Sequence, residues 1–440
     1  MNILITDDAA AAKEPIDISF QGSSAPMAGL GFVNGLLKVL TLGLYSFWAK
    51  TEVRRRIWSA TRLNGEPITY TGTGKELLLG FLVAFFGVVL PVLLGGAAVN
   101  VFFGGSPQVL ALYQGVVYVA FFVLFGNAIY RAQRYRLSRT EWRGIRGGLS
   151  GSPGQYGWAY FWTLALPFTG ISMIAGILAY VTGPAVGGVI MVLALLTVLW
   201  VLPWRANYLQ RLITREMTFG DRSMTYTGTA SPLYRSYLFA WLGNAVIFGT
   251  AISSTAVYVM QSGLYAQQLA GIRPHPLDFL PIVGIWIVAL IASAVVTAWY
   301  RASQINHFAR NTHFEGATFR GEATGSTLMW LVLSNWLISI LGIAAGVVIG
   351  GLLVYATAPS TPASDMAFQG ADAVALLMVV PPIIVMTTVA GTLAQFRSAR
   401  YFLSRLKLDG PVNLGLIMQS QSGRPKRGEG LAQVFDIDAF

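Results

Sequence analysis

The sequence predicts an all-α polytopic membrane protein, with about eight transmembrane helices in repeated helical hairpins and small cytoplasmic β-hairpins between them. Three observations support this fold class. Of the 440 residues, 54% are hydrophobic and only 11% are charged, whereas soluble domains carry roughly 25% charged residues. The chain contains eight uncharged apolar runs, each long enough to cross a bilayer. Basic residues, finally, concentrate in alternate connections between these runs.

The apolar runs have the length that a bilayer requires. Because a helix rises 1.5 Å per residue, about 20 apolar residues cross a hydrocarbon core of roughly 30 Å. Runs of this kind lie at 77–101, 107–129, 157–181, 184–203, 237–260, 279–299, 328–356 and 373–395, and none contains Asp, Glu, Lys or Arg. A backbone in hydrocarbon must satisfy its own hydrogen bonds, so we expect each run to be a helix.

Lys and Arg residues mark one side of the predicted membrane domain. Of the 30 such residues, 27 lie in five segments, which are 48–76, 130–156, 204–236, 300–327 and 396–440. The four opposite connections contain only Arg273. The positive-inside rule places the basic segments in the cytoplasm, and both termini with them. The formal net charge of +11 then reflects topology and attraction to anionic lipids, and we expect no nucleic-acid partner.

Each basic segment contains a turn signal. The signals are Asn64-Gly65, Arg143-Gly144, Gly220-Asp221, Glu315-Gly316 and Asp409-Gly410. Alternating strands flank several of them, with Ile68, Tyr70, Met224, Tyr226 and Phe319 on one face. Alternation around a two-residue turn predicts a β-hairpin, and because a lone hairpin is marginal in water, we expect four or five of them to pair into one sheet.

These patterns define a predicted order of segments. Helical hairpins are predicted at 77–129, 157–203, 237–299 and 328–395. Cytoplasmic β-hairpin repeats are predicted at 48–76, 204–236 and 300–327, with a degenerate copy at 130–156. Residues 1–27 form a cytoplasmic segment with a short strand, and residues 396–440 form a basic cytoplasmic tail.

The first apolar stretch, 28–47, is unlike the eight runs. It contains Lys38, and Thr41-Leu42-Gly43-Leu44 has the composition of a break. We interpret the stretch as a re-entrant or interfacial hairpin that enters and leaves on the same side. The alternative is a ninth span, with the N-terminus outside the cell.

Several segments resemble a known family. Residues 32–37 (Phe-Val-Asn-Gly-Leu-Leu), 41–45 (Thr-Leu-Gly-Leu-Tyr) and 48–50 (Trp-Ala-Lys), followed by Arg54-Arg55-Arg56, are similar to the opening of the YjgN-like family. Gly428-Glu429-Gly430 fits the family pattern at the other end of the chain. The family consists of bacterial inner-membrane proteins classed as a domain of unknown function. The resemblance therefore implies a multi-pass protein of the bacterial inner membrane, and it brings no reaction, cofactor or catalytic residue.

Two groups of polar residues are candidates for contacts. Candidate lipid-headgroup contacts are Arg54, Arg55, Arg56, Arg62, Arg131 and Arg134, since guanidinium groups near span ends lie at the level of phosphate headgroups. Candidate intramembrane polar contacts are Asn34, Asn244 and Asn335, because an amide in hydrocarbon either links helices or lines a wet cavity. For both groups the simpler interpretation is structural, as anchors or as links between helices.

The sequence gives little support for catalysis or for metal binding. Cysteine is absent, and the three histidines are scattered at His275, His307 and His313, so we expect no catalytic site, no metal and no cofactor. Membrane lipids are the expected partners. We hypothesise a protein that binds or moves a lipid or other anionic amphiphile. The alternatives are a non-catalytic scaffold or assembly factor and a facilitative channel or transporter; an enzyme is not expected.

Overall fold

The computed structural model describes residues 14–271, 273–357, 365–420, 423–425 and 428–434. In this part of the chain eight helices are long and apolar enough to cross a membrane. They are Gly74–Phe102, Pro107–Ser138, Pro153–Thr182, Val186–Glu216, Ser231–Gln261, Pro276–Arg310, Gly325–Thr357 and Leu376–Leu403. Along the chain, short β-hairpins separate one pair of these helices from the next. The predicted fold class, a polytopic all-α membrane protein with small β-hairpins, is confirmed.

The regular helices are numbered in chain order. They are α1 Ala25–Leu40, α2 Ser46–Ala60, α3 Gly74–Ala84, α4 Leu90–Phe102, α5 Pro107–Ser138, α6 Pro153–Thr182, α7 Pro184–Leu199, α8 Leu202–Glu216, α9 Ser231–Gln261, α10 Leu264–Leu269, α11 Leu280–Arg310, α12 Gly325–Thr357, α13 Asp365–Leu403 and α14 Leu431–Val434. A π-helical turn, Phe85–Val89, joins α3 to α4.

The helices continue beyond the predicted ends of the spans. The connections are predicted to begin at 130, 204, 300 and 396, whereas α5, α8, α11 and α13 run to Ser138, Glu216, Arg310 and Leu403. Hydropathy shows where the apolar side chains end. The helix can continue past that point, because its backbone groups are hydrogen-bonded within the helix. The helices thus extend past the predicted starts of the cytoplasmic connections and of the basic tail, and many of the arginines lie on these helical extensions.

The strands are short. They are β1 Glu14–Pro15, β2 Ile18–Phe20, β3 Thr61–Leu63, β4 Glu66–Pro67, β5 Thr69–Tyr70, β6 Thr140–Trp142, β7 Ile145–Leu149, β8 Met217–Phe219, β9 Arg222–Ser223, β10 Thr225–Tyr226, β11 Thr312–Phe314, β12 Ala317–Gly321, β13 Leu406–Asp409 and β14 Pro411–Val412. Four two-residue turns connect hairpins at the predicted positions. At Asn64-Gly65 both residues have positive φ, 49° and 80°, as a type I′ turn requires.

The hairpins pair with one another in a closed circuit. The sheet orders are β2-β3-β4, β5-β6-β7-β8-β9, β10-β11-β12-β13 and β1-β14. The chain passes from one sheet to the next through very short links. Ile68 links β4 to β5, Met224 links β9 to β10, and Gly410 links β13 to β14. Ile16 and Asp17 link β1 to β2. The circuit closes where β1 pairs with β14, with Glu14 opposite Val412 and Pro15 opposite Pro411. Two strands that are far apart in the sequence thus form an antiparallel pair, and the single sheet expected from the sequence is instead a ring, which we call the β-ring.

Apolar side chains from every part of the β-ring meet in one core. Its buried members are Ile16, Phe314, Ala317, Leu408, Val412 and Ile417, with Leu63, Ile145, Phe219, Met224 and Phe319 packed against them. Met224 and Phe319 therefore lie where the alternation placed them. Tyr70 and Tyr226 instead turn towards helices, where the Tyr226 hydroxyl donates to Asn207 Oδ1 at 2.7 Å.

Glycines allow close helix packing in the membrane domain. A Cβ atom on Gly346 of α12 would lie 2.5 Å from the Cα atom of Ile383 on α13. On the other side of α13, a Cβ atom on Gly31 or Gly35 of α1 would lie 2.8 Å from the Cα atoms of Val389 and Val385. Close backbone approach at small residues is the usual way for helices to associate in lipid. Helix α13 is therefore held between α12 and α1.

The closure of the β-ring is testable because the natural chain has no cysteine. Residues 15 and 411 are Cα partners, and opposed antiparallel residues lie about 4.5–5.5 Å apart, within the range of a disulfide. We expect a Pro15→Cys/Pro411→Cys variant to form an intramolecular disulfide under mild oxidation, detected by intact mass and loss of thiol labelling. In a control variant, Pro15→Cys/Lys75→Cys, both thiols should remain free. Equal labelling of the two variants would contradict the closure.

Candidate functional site

Helices α1 and α2 form a fifth helical hairpin, which we call the short hairpin because its helices have only 16 and 15 residues. The turn between them satisfies its own backbone. The Thr41 hydroxyl donates to Leu37 O at 2.7 Å and accepts from Tyr45 N–H at 2.9 Å. The Gly43 N–H donates to Lys38 O at 2.7 Å. Since Gly43 has a φ of +90°, a side chain at this position would be strained.

The tip of the short hairpin is apolar as well as internally bonded. Leu42 is 95% exposed, and Leu40 and Leu44 are also exposed. Exposed leucines on a turn with satisfied backbone groups are suited to hydrocarbon and poorly suited to water. The predicted hairpin at 28–47 thus falls within two helices and the turn between them, and the α1–α2 pair runs from residue 25 to residue 60.

A polar cavity of about 250 Å³ lies between the short hairpin and α13. Its polar lining residues are Asn34 and Lys38 from α1, Lys50 from α2, and Thr387, Thr388, Thr392 and Gln395 from α13. None of the described lining residues is acidic. The cavity therefore carries two ammonium groups and no side chain of opposite charge in its lining.

Hydrogen bonds among the described lining residues leave one buried donor without a partner, the amide of Asn34. The hydroxyls of Thr387, Thr388 and Thr392 each donate to a carbonyl of their own helix, at 2.6–2.8 Å. Their protons are thus engaged, and Thr388 Oγ1 accepts from Lys38 Nζ at 3.5 Å. Asn34 is only 2% exposed, and within the described part of the chain its Nδ2 has no hydrogen-bond partner.

An unsatisfied amide of this kind is costly. Leaving a buried donor without a partner costs about 1–3 kcal/mol. Asn34 and the two lysines thus place N–H donors in the lining of one small space. The arrangement suits an anion with several acceptor oxygens, such as a phosphate or a carboxylate.

Another face of α2 meets the end of the chain. Glu429 is 1% exposed, and its Oε1 lies 2.9 Å from Arg54 Nη1 and 3.9 Å from Arg136 Nε. Arg54 Nη1 also donates to the Tyr70 hydroxyl at 3.4 Å, and burial raises the pKa of Tyr70. We call Arg54, Arg136 and Glu429 the tail ion cluster.

The tail reaches this cluster by inserting between α3 and α5. Gly428 N–H donates to Glu76 O at 2.8 Å, and a Cβ atom on Gly428 would lie 2.6 Å from that oxygen. Ala432 is fully buried against Ala128 and Ala132 of α5. The Glu76 carboxylate in turn pairs with Arg139 at 2.6 Å. The last described residues therefore hold α2, α3 and α5 together.

The six candidate arginines have different surroundings, and Arg54 is buried. The side chain of Arg54 is 8% exposed and pairs with Glu429, so it does not lie where a lipid headgroup would contact it. Arg55 donates to Gly72 O at 3.1 Å and Arg62 donates to Gly65 O at 3.1 Å. Arg56 and Arg131 are exposed, and Arg134 is half-buried. None of these arginines lines the polar cavity.

The three candidate asparagines have different surroundings. Asn34 lies in the polar cavity. Asn244 accepts from Ser293 Oγ at 2.5 Å and donates to Thr297 Oγ1 at 3.3 Å, so it links α9 to α11. Asn335 donates to Ser398 Oγ at 3.2 Å and links α12 to α13. The last two serve as helix–helix contacts, the simpler of the two interpretations.

Sequence reasoning missed most of the polar cavity and the partner of Arg54. The available signal for the cavity was Lys38, a charge inside an apolar stretch, with Lys50 close behind it. The three threonines of α13 gave no signal, because hydroxyls are common in membrane helices. No group of three potential metal ligands occurs in the ranges that the structure describes.

Eight long apolar helices, a short internally bonded hairpin and a cationic cavity between helices define a multi-pass α-helical membrane protein. Residues 15–433 match the family model described as "Bacterial protein of unknown function (DUF898)", and the chain belongs to this family. It is similar to "Inner membrane protein YjgN" of Salmonella typhimurium (strain LT2), with 22% identity over 334 residues that cover 73% of this chain and 81% of the relative. The family resemblance seen in the sequence is thus confirmed. No solved structure matches the chain.

The tail ion cluster provides a stability test. Removing one partner of a buried ion pair costs about 3–5 kcal/mol, because the remaining charge stays buried without compensation. We therefore expect Glu429→Ala to lower the free energy of unfolding by an amount of that order in denaturant titrations of the purified protein. The matched control is Glu52→Ala, which removes a surface pair with Arg55 at 3.4 Å and should cost less than about 1 kcal/mol. Similar losses in the two variants would show that the tail does not hold the helices together.

Proposed function

We propose that this chain is a bacterial inner-membrane protein that binds the anionic headgroup of a lipid or other amphiphile in its polar cavity, without catalysing a reaction. One observation carries the proposal: the ammonium groups of Lys38 and Lys50 and the buried, unpartnered amide of Asn34 face a common space with no acidic residue in its lining. An anionic group placed there would accept hydrogen bonds from both ammonium groups and from the amide.

The depth of the lysines supports a ligand rather than simple anchoring. Lys38 lies 13 residues into α1, about 20 Å along a helix that rises 1.5 Å per residue. Lys50 lies within the first turn and a half of α2, also near the hairpin tip. We infer that the short hairpin is re-entrant, since its tip exposes leucines and bonds its own backbone. A lysine at the centre of a membrane helix costs about 2.5–3.5 kcal/mol on insertion scales, so such residues commonly serve a function.

The surface of the short hairpin is suited to the rest of an amphiphile. Phe32, Val33 and Leu36 are exposed on α1, beside the residues that face α13. Acyl chains lying along these side chains would leave the headgroup within reach of the cavity. A ligand from the bilayer would thus enter sideways, between the short hairpin and the neighbouring helices.

The charge distribution supports an orientation. The β-ring lies at the ends of helices that carry the arginine-rich extensions, and the positive-inside rule assigns that side to the cytoplasm. The first and last described residues belong to the β-ring and to the adjoining tail, so we infer that both termini are cytoplasmic. The relative's name, an inner membrane protein, agrees with this location.

A channel through the centre of the β-ring has less support. The space is occupied by apolar side chains that include Ile16, Phe314 and Val412, and such a core offers no partners for water or ions. The amphiphile proposal needs no such path, because its ligand arrives from the bilayer.

Lipid retention tests the proposal. The full-length protein is purified in mild detergent, exposed to phosphatidylglycerol and analysed by native mass spectrometry. A hydrogen bond to a charged group contributes about 1.5–3 kcal/mol, and 1.4 kcal/mol is tenfold in affinity. We therefore expect Lys38→Gln/Lys50→Gln to reduce the affinity for phosphatidylglycerol at least about tenfold.

The matched control is Lys75→Gln, which neutralises an exposed lysine at the start of α3, outside the cavity lining. It should retain lipid as the natural protein does. Equal retention by the natural protein, the control and the double variant would contradict the proposed site.

A further inference from the structure

A second cationic space lies along a different face of α13. This cavity, of about 430 Å³, is bounded by the last turns of α13, by α12 and by the residue before α1. Its polar lining residues are Ser24, Arg397, Arg400, Tyr401, Ser404 and Arg405, and we call it the arginine cleft. It shares no lining residue with the polar cavity.

The arginines of the cleft are held in different ways. Arg397 Nη2 donates to Ser334 Oγ at 2.5 Å, while its buried Nε has no hydrogen-bond partner within the described residues. The guanidinium of Arg405 stacks on the Tyr401 ring, 4.1 Å from its centroid. Arg400 is exposed. The side chains of Arg397 and Arg405 are therefore held in place by the protein itself, and Arg397 Nε remains a hydrogen-bond donor without a partner among the described residues.

Among the described residues, no acidic side chain neutralises these arginines. In the ranges that the structure describes, none of the three forms an ion pair. Glu322, the residue after β12, has a carboxylate that pairs with Lys407 at 3.0 Å and not with an arginine of the cleft. Three positive charges thus share one cleft without a compensating anion among the lining residues.

The start of α1 adds to the positive potential. Ser24 is the N-cap residue of α1, and its side chain makes no capping hydrogen bond. The first N–H groups of a helix have no partner in the helix, and the helix dipole places partial positive charge there. Because Ser24 lines the cleft, this helix end adjoins the same space as the arginines.

We propose that the arginine cleft binds a phosphate group. Guanidinium groups match phosphate oxygens with paired N–H donors, and they do so better than the point charge of an ammonium group. A phosphate bears enough acceptor oxygens for Arg397, Arg400 and Arg405 together. The proposal is independent of the polar cavity, since it concerns other residues. The phosphate can belong to a lipid headgroup or to a soluble molecule, and the experiment separates these sources.

The test uses the full-length protein with two probes. Inorganic phosphate is titrated calorimetrically into the detergent-purified protein, and phosphatidylglycerol binding is followed by native mass spectrometry. Affinity for at least one probe should fall tenfold or more in Arg397→Gln/Arg400→Gln. A loss for phosphatidylglycerol alone identifies a lipid headgroup, whereas a loss for inorganic phosphate identifies a soluble phosphate.

Two further variants keep the result interpretable. Arg310→Gln removes an exposed arginine at the end of α11, outside the cleft, and should bind both probes as the natural protein does. Arg397→Lys keeps the charge but loses the paired donors, so it should lose part of the affinity even when its thermal unfolding is unchanged. The proposal is overturned if neither probe binds the natural protein, or if the double glutamine variant binds both probes unchanged. Phosphatidylglycerol binding could also be normal in the cleft variant Arg397→Gln/Arg400→Gln and lost in Lys38→Gln/Lys50→Gln. That result would overturn the cleft as a lipid site and would support the polar cavity.

Discussion

The antiparallel pairing between the two ends of the chain determines where the short hairpin lies. Strands β1 and β2 come directly before α1, and strands β13 and β14 come directly after α13. When β1 pairs with β14 and β2 pairs with β3, α1 must start beside the end of α13. Glycines 31 and 35 then allow the two helices to approach closely. The polar cavity and the arginine cleft both depend on this arrangement, since each is formed between α13 and residues near or within α1.

The membrane domain was predictable because its signals are local. Uncharged apolar runs set the number of spanning helices, and two-residue turn signals such as Asn64-Gly65 placed four β-hairpins. The closure of the β-ring was not predictable in the same way. Residues 14 and 412 pair through strands of two residues each, and such short segments carry no periodic pattern that would identify their partner. The long-range pairing depends on the assembled ring and on its shared apolar core.

The polar sites likewise combine features that are visible in the local sequence with contacts that are not. Lys38 is visible in the sequence as a charge inside an apolar stretch, but nothing local indicates that Thr388 and Gln395 face it. Arg54 was assigned to the surface because arginines near span ends usually lie there. Its burial depends on Glu429, a residue almost at the other end of the chain. Once an arginine has a buried carboxylate partner, leaving the surface no longer exposes an uncompensated charge to a low-dielectric environment.

The two proposed anion sites differ in depth and chemistry. In the polar cavity, compact ammonium groups lie near the tip of the short hairpin, whereas in the arginine cleft planar guanidinium groups lie close to the β-ring. Helix α13 carries residues of both sites along different faces. If both proposals hold, an amphiphile that reaches α13 from the bilayer meets cationic groups at two levels of this helix.

The most direct test of the account is an electron cryomicroscopy structure of the full-length protein in nanodiscs that contain phosphatidylglycerol. The account predicts density for an anionic group in the polar cavity, within hydrogen-bonding distance of Lys38 Nζ, Lys50 Nζ and Asn34 Nδ2, with its chains beside the short hairpin. A cavity that has closed, so that the Asn34 amide bonds only to the protein and both ammonium groups point away, would contradict it.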